Sequence, residues 1–274
     1  MKRFLTLLLF TSLALFSAED RVRVVSLSPA LTELVCRLGQ EALLVGRSSA
    51  CDFPRAILRV PVAGAFGRPN PEAVIALKPT HLFADVLADP SAAELFRPAG
   101  IRVILKPCRN PAEYMEWVEL AGKELNCEGR ARAEIARVRR GLEEAGRKYP
   151  PGSGPSVLCL IRGNPPVAAG SGSFPDALIR LAGLRNVAGD AGREYFTPSA
   201  EWLLAHQADI LLLPGFPEEH VAAFRKDRVW SCFRAVRNGR IVSGMDPDLL
   251  LRPGPRMTDG IRLLAERCHN RKGN

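Results

Sequence analysis

Residues 128–149, EGRARAEIARVRRGLEEAGRKY, divide this sequence into two parts of the same kind. Apolar residues recur in this stretch at alternating spacings of four and three: Ala131, Ile135, Val138, Leu142, Ala145 and Tyr149. That spacing predicts one long helix with a single apolar stripe, and Arg and Lys fill its other faces. The run PPGSGP at 150–155 then ends the helix.

Short apolar strands and helices alternate on both sides of this helix. Before it, strands are predicted at 22–27, 80–84 and 102–105, and Ser28 followed by Pro29 is typical of a helix start. After it come further predicted strands and helices, including the strands 156–161 and 210–213 and a terminal helix at 255–268. Strands that alternate with helices are typical of parallel sheets.

The sequence therefore predicts an α/β protein with two α/β (Rossmann-like) lobes joined by a single long backbone helix. We expect an N-terminal lobe at 21–127, the linking helix at 128–149 and a C-terminal lobe at 156–274. Ligands of open α/β sheets bind beyond the carboxyl ends of the strands. That rule predicts a ligand cleft between the lobes.

Residues 1–18 have the layout of a secretory signal peptide. Lys2 and Arg3 precede the apolar run 4–16, and the small residues Ser17 and Ala18 follow it. We therefore expect export and removal of this segment. The mature chain would keep a net charge of +7, compared with +9 for the whole sequence.

Composition and motifs argue against several classes of function. The excess of 38 basic over 29 acidic residues is spread along the chain, without the dense block typical of nucleic-acid binding. A basic helix for nucleic acid or membrane is an alternative for 128–149, but no second signal supports it. The sequence has no GxSxG, P-loop, HExxH or GxGxxG motif, so enzymes are disfavoured.

Two of the seven cysteines, Cys51 and Cys108, each follow a predicted strand of the first lobe. If those two strands are neighbours, both loops lie at the same sheet edge. A Cys51–Cys108 disulfide is then predicted to brace the cleft wall by about 3–4 kcal/mol. Metal ligation by the two thiols is the alternative, although no third ligand is evident.

Seven stretches resemble the class III (helical-backbone, TroA-like) solute-binding proteins of bacterial ABC importers, most of all the vitamin B12-binding and ferric-siderophore-binding members. Together they cover nearly the whole mature chain in the family's order. They are VVSLSPALTE at 24–33, CDFP at 51–54, NPEAVIALKP at 70–79, GNPP at 163–166, SAE at 199–201, AVRNGR at 235–240 and RPGPR at 252–256.

The resemblance implies a monomeric periplasmic protein that delivers a small metal chelate to permease subunits in the inner membrane. It implies a corrinoid or an iron chelate as ligand, no resident cofactor or metal, and no nucleic-acid partner. Binding of haem or another metal ion remains an alternative, and so does an exported hydrolase. Glu72 and Glu201 match the family positions where one acid on each lobe docks to the permease.

The resemblance also indicates which residues line the cleft. Positions where the B12-binding relative carries mostly aromatic residues are occupied here by Ala50, Phe66, Asp85, Arg162 and Phe196, with Asp248 and Arg252 near the end of the chain. Arg47 and Arg68 are further candidates for the cleft, because guanidinium groups suit carboxylate, phosphate or catecholate oxygens. The charged residues at these positions leave the identity of the ligand open.

Overall fold

The computed structural model of the protein describes residues 21–270. The predicted signal peptide at 1–18 lies outside the described residues. None of the helices in the described part of the chain has the length and the apolar composition needed to cross a bilayer.

The N-terminal lobe is built on a four-stranded parallel sheet flanked by helices. Its strands are β1 (Val24–Ser26), β2 (Leu44–Arg47), β3 (Gly64–Ala65), β4 (Arg68–Pro69), β5 (His81–Ala84) and β6 (Arg102–Leu105), and its helices are α1 (Pro29–Arg37), α2 (Pro71–Ala76) and α3 (Pro111–Glu124). The sheet has the order β2-β1-β5-β6, and β3 and β4 form a separate antiparallel hairpin. The segment Pro90–Ala99 is a 3₁₀ helix that contains Pro98.

The helix between the lobes, α4 (Glu128–Lys148), has 21 residues and is therefore about 30 Å long. The residues of the predicted stripe are buried or half-buried, with Ala131 and Val138 fully inside. The same face buries a carboxylate that the pattern does not reveal, that of Glu134, which is 4% exposed.

Glu134 and its partner Arg137 together connect α4 to both lobes. Its carboxylate accepts hydrogen bonds from Arg37 Nε (2.9 Å), from the Tyr114 hydroxyl (3.1 Å) and from two nitrogens of Arg137 (2.8 and 2.6 Å). Burial opposes ionisation of Glu134, but these arginines hold its pKa below the usual value. Arg137 also donates to the Thr258 hydroxyl at 3.0 Å, which lies in the C-terminal lobe.

The C-terminal lobe has a mixed sheet with the order β10-β8-β7-β11-β12, and β9 pairs with β7. Its strands are β7 (Ser156–Gly163), β8 (Pro166–Ala169), β9 (Arg185–Asn186), β10 (Tyr195–Phe196), β11 (Ile210–Leu213) and β12 (Ile241–Ser243). Its helices are α5 (Phe174–Leu181), α6 (Ala200–Ala205), α7 (Glu218–Lys226), α8 (Arg234–Arg237), α9 (Asp248–Leu251) and α10 (Met257–His269). The predicted two-lobe fold with one backbone helix is confirmed.

The predicted Cys51–Cys108 disulfide is absent, because all seven cysteines are free thiols. The reason is the strand order: β2, which precedes Cys51, and β6, which precedes Cys108, lie at opposite edges of the sheet. Neighbouring strands are about 4.8 Å apart, so three such steps exceed the reach of a disulfide. The Cys51 sulfur instead accepts a hydrogen bond from Thr32 at 3.1 Å, and the Cys108 thiol donates to the carbonyl of Pro253 at 3.2 Å.

A cluster of charged residues joins the two lobes directly. Arg256 donates to both carboxylate oxygens of Glu33 on α1, at 2.8 and 2.7 Å, and its guanidinium lies 4.1 Å from the ring centre of Phe53. Arg252 donates to Asp52 at 2.7 Å and also pairs with Asp248 at 2.8 Å. Glu33 is only 4% exposed. Separation of the lobes at this point would therefore leave its carboxylate without the cation that neutralises it.

Replacing Arg256 with Ala should lower the free energy of unfolding by about 3 kcal/mol, because it leaves the buried Glu33 carboxylate without its main partner. Urea unfolding of the purified protein measures this change. The double variant Glu33→Leu, Arg256→Met should recover most of the loss, since it removes both charges.

Arg97→Ala is the matched control, because Arg97 pairs with Glu94 at 2.8 Å on the surface. That pair should contribute less than about 1 kcal/mol. Equal losses for Arg97→Ala and Arg256→Ala would show that the cross-lobe pair is no stronger than a surface pair.

Candidate ligand cleft between the lobes

Contacts between the lobes gather at the carboxyl edge of the N-terminal sheet. Cys108, just after β6, contacts Pro253, and Arg109 approaches Glu194, just before β10, at 3.8 Å. Asp52, after β2, meets Arg252. The cleft therefore borders the edge where open α/β sheets bind their ligands, as the sequence predicts.

Phe66 and Arg68, both predicted for the cleft, lie at the β3–β4 hairpin and are exposed, Phe66 by 47%. Gly67 between them has a φ of +62°, and its carbonyl accepts from the amide of Ala88 at 2.8 Å. A side chain at Gly67 would crowd the backbone of Val86. The glycine thus holds the hairpin against the loop after β5 and leaves the Phe66 ring free.

Strand β10 presents its two aromatic residues to opposite sides of the sheet, because side chains alternate along a strand. Phe196, predicted to line the cleft, is half-buried and packs edge-on against Trp202 at 5.0 Å, beside the core of the C-terminal lobe. Its neighbour Tyr195 is the exposed ring, at 44%. Sequence reasoning missed Tyr195 because the register of this two-residue strand was not evident.

Asp85 and Ser28 follow the neighbouring strands β5 and β1, at the carboxyl edge of the sheet. Asp85 Oδ1 and the Ser28 hydroxyl oxygen are buried and have no hydrogen-bond partner among the described residues. Ser28 begins α1, yet its side chain does not cap the helix. Burial raises the pKa of Asp85 to about 6, more than nearby groups lower it. This edge of the cleft therefore offers two polar groups to a ligand.

A pocket of about 710 Å³ lies at the carboxyl edge of the C-terminal sheet, between the β7–β8 turn and α7. Its walls combine aromatic rings with one cation and one imidazole. They are formed by Arg162, Gly163, Asn164, Pro166, Phe216, His220, Ala223, Phe224, Asp227 and Trp230. A side chain at Gly163 would come within 2.8 Å of the Phe216 ring, so the glycine lets that ring lie against the turn.

The arginines proposed for the cleft differ in their availability. Arg162 is exposed, and its one hydrogen bond within residues 21–270 goes to the Pro165 carbonyl at 3.3 Å. Arg68 is exposed and has no ion pair in the described part of the chain. Arg47, by contrast, is 8% exposed and donates to four backbone carbonyl groups, so it is a structural residue.

The remaining candidates are less free to bind a ligand. Arg252 and Asp248 are half-buried and already pair with each other and with the cross-lobe cluster. Burial is the main reason that the pKa of Asp248 is raised. Ala50 is half-buried in the loop after β2 and offers no polar side chain. These residues shape the cleft rather than supply free groups to it.

Within residues 21–270, no three His, Cys, Asp or Glu side chains lie close enough together to hold a metal ion. His81 contacts Thr80 at 2.8 Å and Glu124 at 3.1 Å.

A family model described as "Periplasmic binding protein" matches residues 24–248. The chain belongs to this family. Its members are substrate-binding proteins of class III, which work with the membrane and ATPase subunits of ABC transporters, and the resemblance seen in the sequence is confirmed. They are found in the periplasm or anchored as extracellular lipoproteins.

Two curated relatives match most of the chain. The uncharacterized ABC transporter substrate-binding lipoprotein YvrC of Bacillus subtilis is 26% identical over 257 residues, which covers 90% of this chain and 80% of YvrC. The high-affinity heme uptake system protein IsdE of Staphylococcus aureus is 26% identical over 261 residues, covering 87% of this chain and 88% of IsdE.

Solved structures of the family superpose well on this protein. The periplasmic heme-binding protein RhuT from Roseiflexus, in its apo form, has a TM-score of 0.81 at 25% identity, covering 91% of this chain and 98% of RhuT. The periplasmic vitamin B12-binding protein BtuF of Vibrio cholerae has a TM-score of 0.78 at 21% identity, covering 90% and 96%. The likeness to BtuF shows the fold alone.

Asp85 should make the stability of this periplasmic binding protein depend on pH. Its pKa is about 6 when folded against 3.8 normally, so between these values the folded state binds the proton more tightly than the unfolded state. Stability should therefore fall as the pH rises from 4 to 7, by at most about 3 kcal/mol from this group.

Asp85→Asn should remove this part of the pH dependence, whereas Asp190→Asn, in an exposed loop, should leave it unchanged. Urea unfolding at pH 4 and pH 7 measures both. Identical pH dependence in the Asp85→Asn variant and the unmodified protein would contradict the assignment.

Proposed function

We propose that this chain is exported to the periplasm, captures a flat, anionic metal–tetrapyrrole, and delivers it to an ABC importer. Among such ligands, haem fits the site best. The observation that carries the proposal is the pocket beside the β7–β8 turn, which combines aromatic rings, a free guanidinium and an imidazole.

Each part of this pocket suits a part of haem. The half-buried ring of Phe216, with Trp230 packed in the core behind the pocket, can cover part of the apolar macrocycle. Arg162 can bind a propionate, because guanidinium and carboxylate form strong paired hydrogen bonds. His220 is exposed, and imidazole is a common ligand of haem iron. On the N-terminal lobe, Arg68 is a second exposed cation without an ion pair in the described part of the chain, and we propose it for the other propionate.

The comparisons support the same ligand class. Relatives at 25–26% identity include proteins whose names state heme uptake or heme binding. A corrinoid is the second candidate, and Asp85 and Ser28 favour it: an unpartnered carboxyl and hydroxyl can bind the carboxamide groups at a corrin's edge.

Titration of the purified mature protein with hemin, cobalamin, cobinamide and a panel of ferric siderophores tests the proposal. We expect hemin to bind one-to-one with an affinity tighter than micromolar and to shift its main visible absorption band. Binding of a corrinoid or siderophore without hemin would overturn the haem assignment. Binding of none of these ligands would overturn the chelate-binding function.

Arg162→Glu should weaken hemin binding by about tenfold or more, because it replaces the cation that faces a propionate with a like charge. Calorimetry measures the affinity. Arg132→Glu, on the exposed face of α4, is the matched control and should leave it unchanged. Unaltered affinity of the Arg162→Glu variant would remove Arg162 from the binding site.

Delivery is proposed to depend on Glu72 and Glu201. Each is exposed in the first turn of a short helix, α2 in the N-terminal lobe and α6 in the C-terminal lobe. Neither has an ion-pair partner in the described part of the chain, and backbone and Ser199 hydrogen bonds lower the pKa of Glu201. Both acids are thus available to cationic residues of the permease.

The double variant Glu72→Arg, Glu201→Arg should bind its ligand normally but lose uptake into vesicles that carry the cognate importer. Charge reversal sets like charges against each other at both contacts, whereas a single reversal should leave partial uptake. Normal uptake by the double variant would exclude the docking role and leave both residues as acids that stabilise helix starts.

A further inference from the structure

Helices α2 and α6 repeat one pattern in the two lobes, at a constant offset along the chain. Each follows a capping side chain: Asn70 accepts from the amide of Ala73 at 3.1 Å, and Ser199 from that of Trp202 at 3.2 Å. The acid stands two residues after the cap in both helices. The two helices therefore begin in the same way.

The repeat extends to the residues that follow the acids. Four residues after each cap, an aliphatic side chain is buried, Val74 at 0% and Leu203 at 3% exposure. The next residue in each helix is aliphatic and exposed, Ile75 at 43% and Leu204 at 56%. One exposed aliphatic residue needs no explanation, but packing within either lobe does not explain its recurrence at the equivalent position.

The exposed aliphatic residue lies beside the acid in both helices. Residues three apart on a helix are neighbours on its surface, so Ile75 adjoins Glu72 and Leu204 adjoins Glu201. Each lobe thus presents one patch that consists of an unpaired carboxylate and an adjacent apolar side chain. These are the Glu72–Ile75 patch and the Glu201–Leu204 patch.

We infer that the two patches bind equivalent sites on the importer's membrane subunits, each of which offers a cationic side chain with an apolar side chain beside it. This inference rests on the proposed delivery function and adds the apolar half of the contact. The partner must be cationic because the acids have no ion-pair partner within the described residues, on a chain whose overall charge is positive.

The apolar residue has a physical role that the acid alone cannot fill. An ion pair exposed to water is weak and screened by salt, and rim charges chiefly orient a partner. An aliphatic side chain next to the pair excludes water, which strengthens the pair and adds apolar burial. Affinity at each patch therefore depends on Ile75 and Leu204, and orientation depends on Glu72 and Glu201.

Uptake by proteoliposomes that carry the cognate importer, with hemin as the probe ligand, tests this division. The double variant Ile75→Ser, Leu204→Ser should bind hemin normally in solution. Its binding to the proteoliposomes, and the hemin uptake that it supports, should both fall about tenfold. The conservative double variant Ile75→Leu, Leu204→Ile should restore both. High salt should weaken the remaining binding of the serine variant more than that of the unmodified protein, because its ion pairs are open to water.

Leu58→Ser is the matched control, since Leu58 is 49% exposed on the N-terminal lobe outside both patches. It should leave uptake unchanged. Normal uptake by the serine double variant, together with loss of uptake on reversal of Glu72 and Glu201, would overturn this inference but leave acid docking intact. Normal uptake in both sets of variants would overturn docking by these helices altogether.

Discussion

The pairing of the buried Glu33 carboxylate with Arg256 constrains the whole arrangement of the two lobes. Glu33 lies on α1 of the N-terminal lobe, and Arg256 lies in the segment 252–258 of the other lobe. A carboxylate this deeply buried is stable only while its cation stays in place. The relative position of the lobes, and hence the width of the cleft, follows from that requirement.

The segment 252–258 collects further contacts of the same kind. Its Pro253 carbonyl accepts from Cys108, and its Pro255 carbonyl accepts from Arg137, which also holds Glu134. Gly254 packs against Ala30 of α1, since a Cβ at Gly254 would lie in ordinary van der Waals contact with the Ala30 Cα, at 3.5 Å. One short segment thus joins α1, the loop after β6 and the backbone helix, and it places a rigid wall at one end of the cleft.

The charged residues near the cleft fall into two groups, those that are paired within this network and those that are not. Arg252 pairs with Asp52 and Arg256 pairs with Glu33 across the lobes, so a ligand would have to break existing pairs to use these residues. Arg162 and Arg68 carry no such pairs within residues 21–270, and Asp85 Oδ1 is left without a partner. The polar groups without such partners in the fold are therefore the ones that remain available to bind a ligand.

The sequence predicted the two-lobe fold because the stripe of α4 and the alternation around it are local patterns. It could not reveal Glu134, since an acid within an amphipathic helix is ordinarily exposed. The disulfide prediction failed because strand order depends on long-range pairing, which places β2 and β6 at opposite edges. Sequence also could not distinguish Arg47, which binds backbone carbonyl groups, from the free Arg162, because an arginine's partners are set by tertiary contacts.

The two lobes are alike at α2 and α6 but unlike at the cleft. The helices share their caps, acids and exposed aliphatic residues, whereas the cleft has Asp85 and Ser28 on one side and Arg162 with aromatic rings on the other. An importer with two equivalent membrane subunits presents the same surface twice, so a matched pair of patches suits it. A ligand with different chemical groups at its two ends requires unlike walls. The lobes therefore resemble each other at the helices proposed for docking and differ at the walls proposed to bind the ligand.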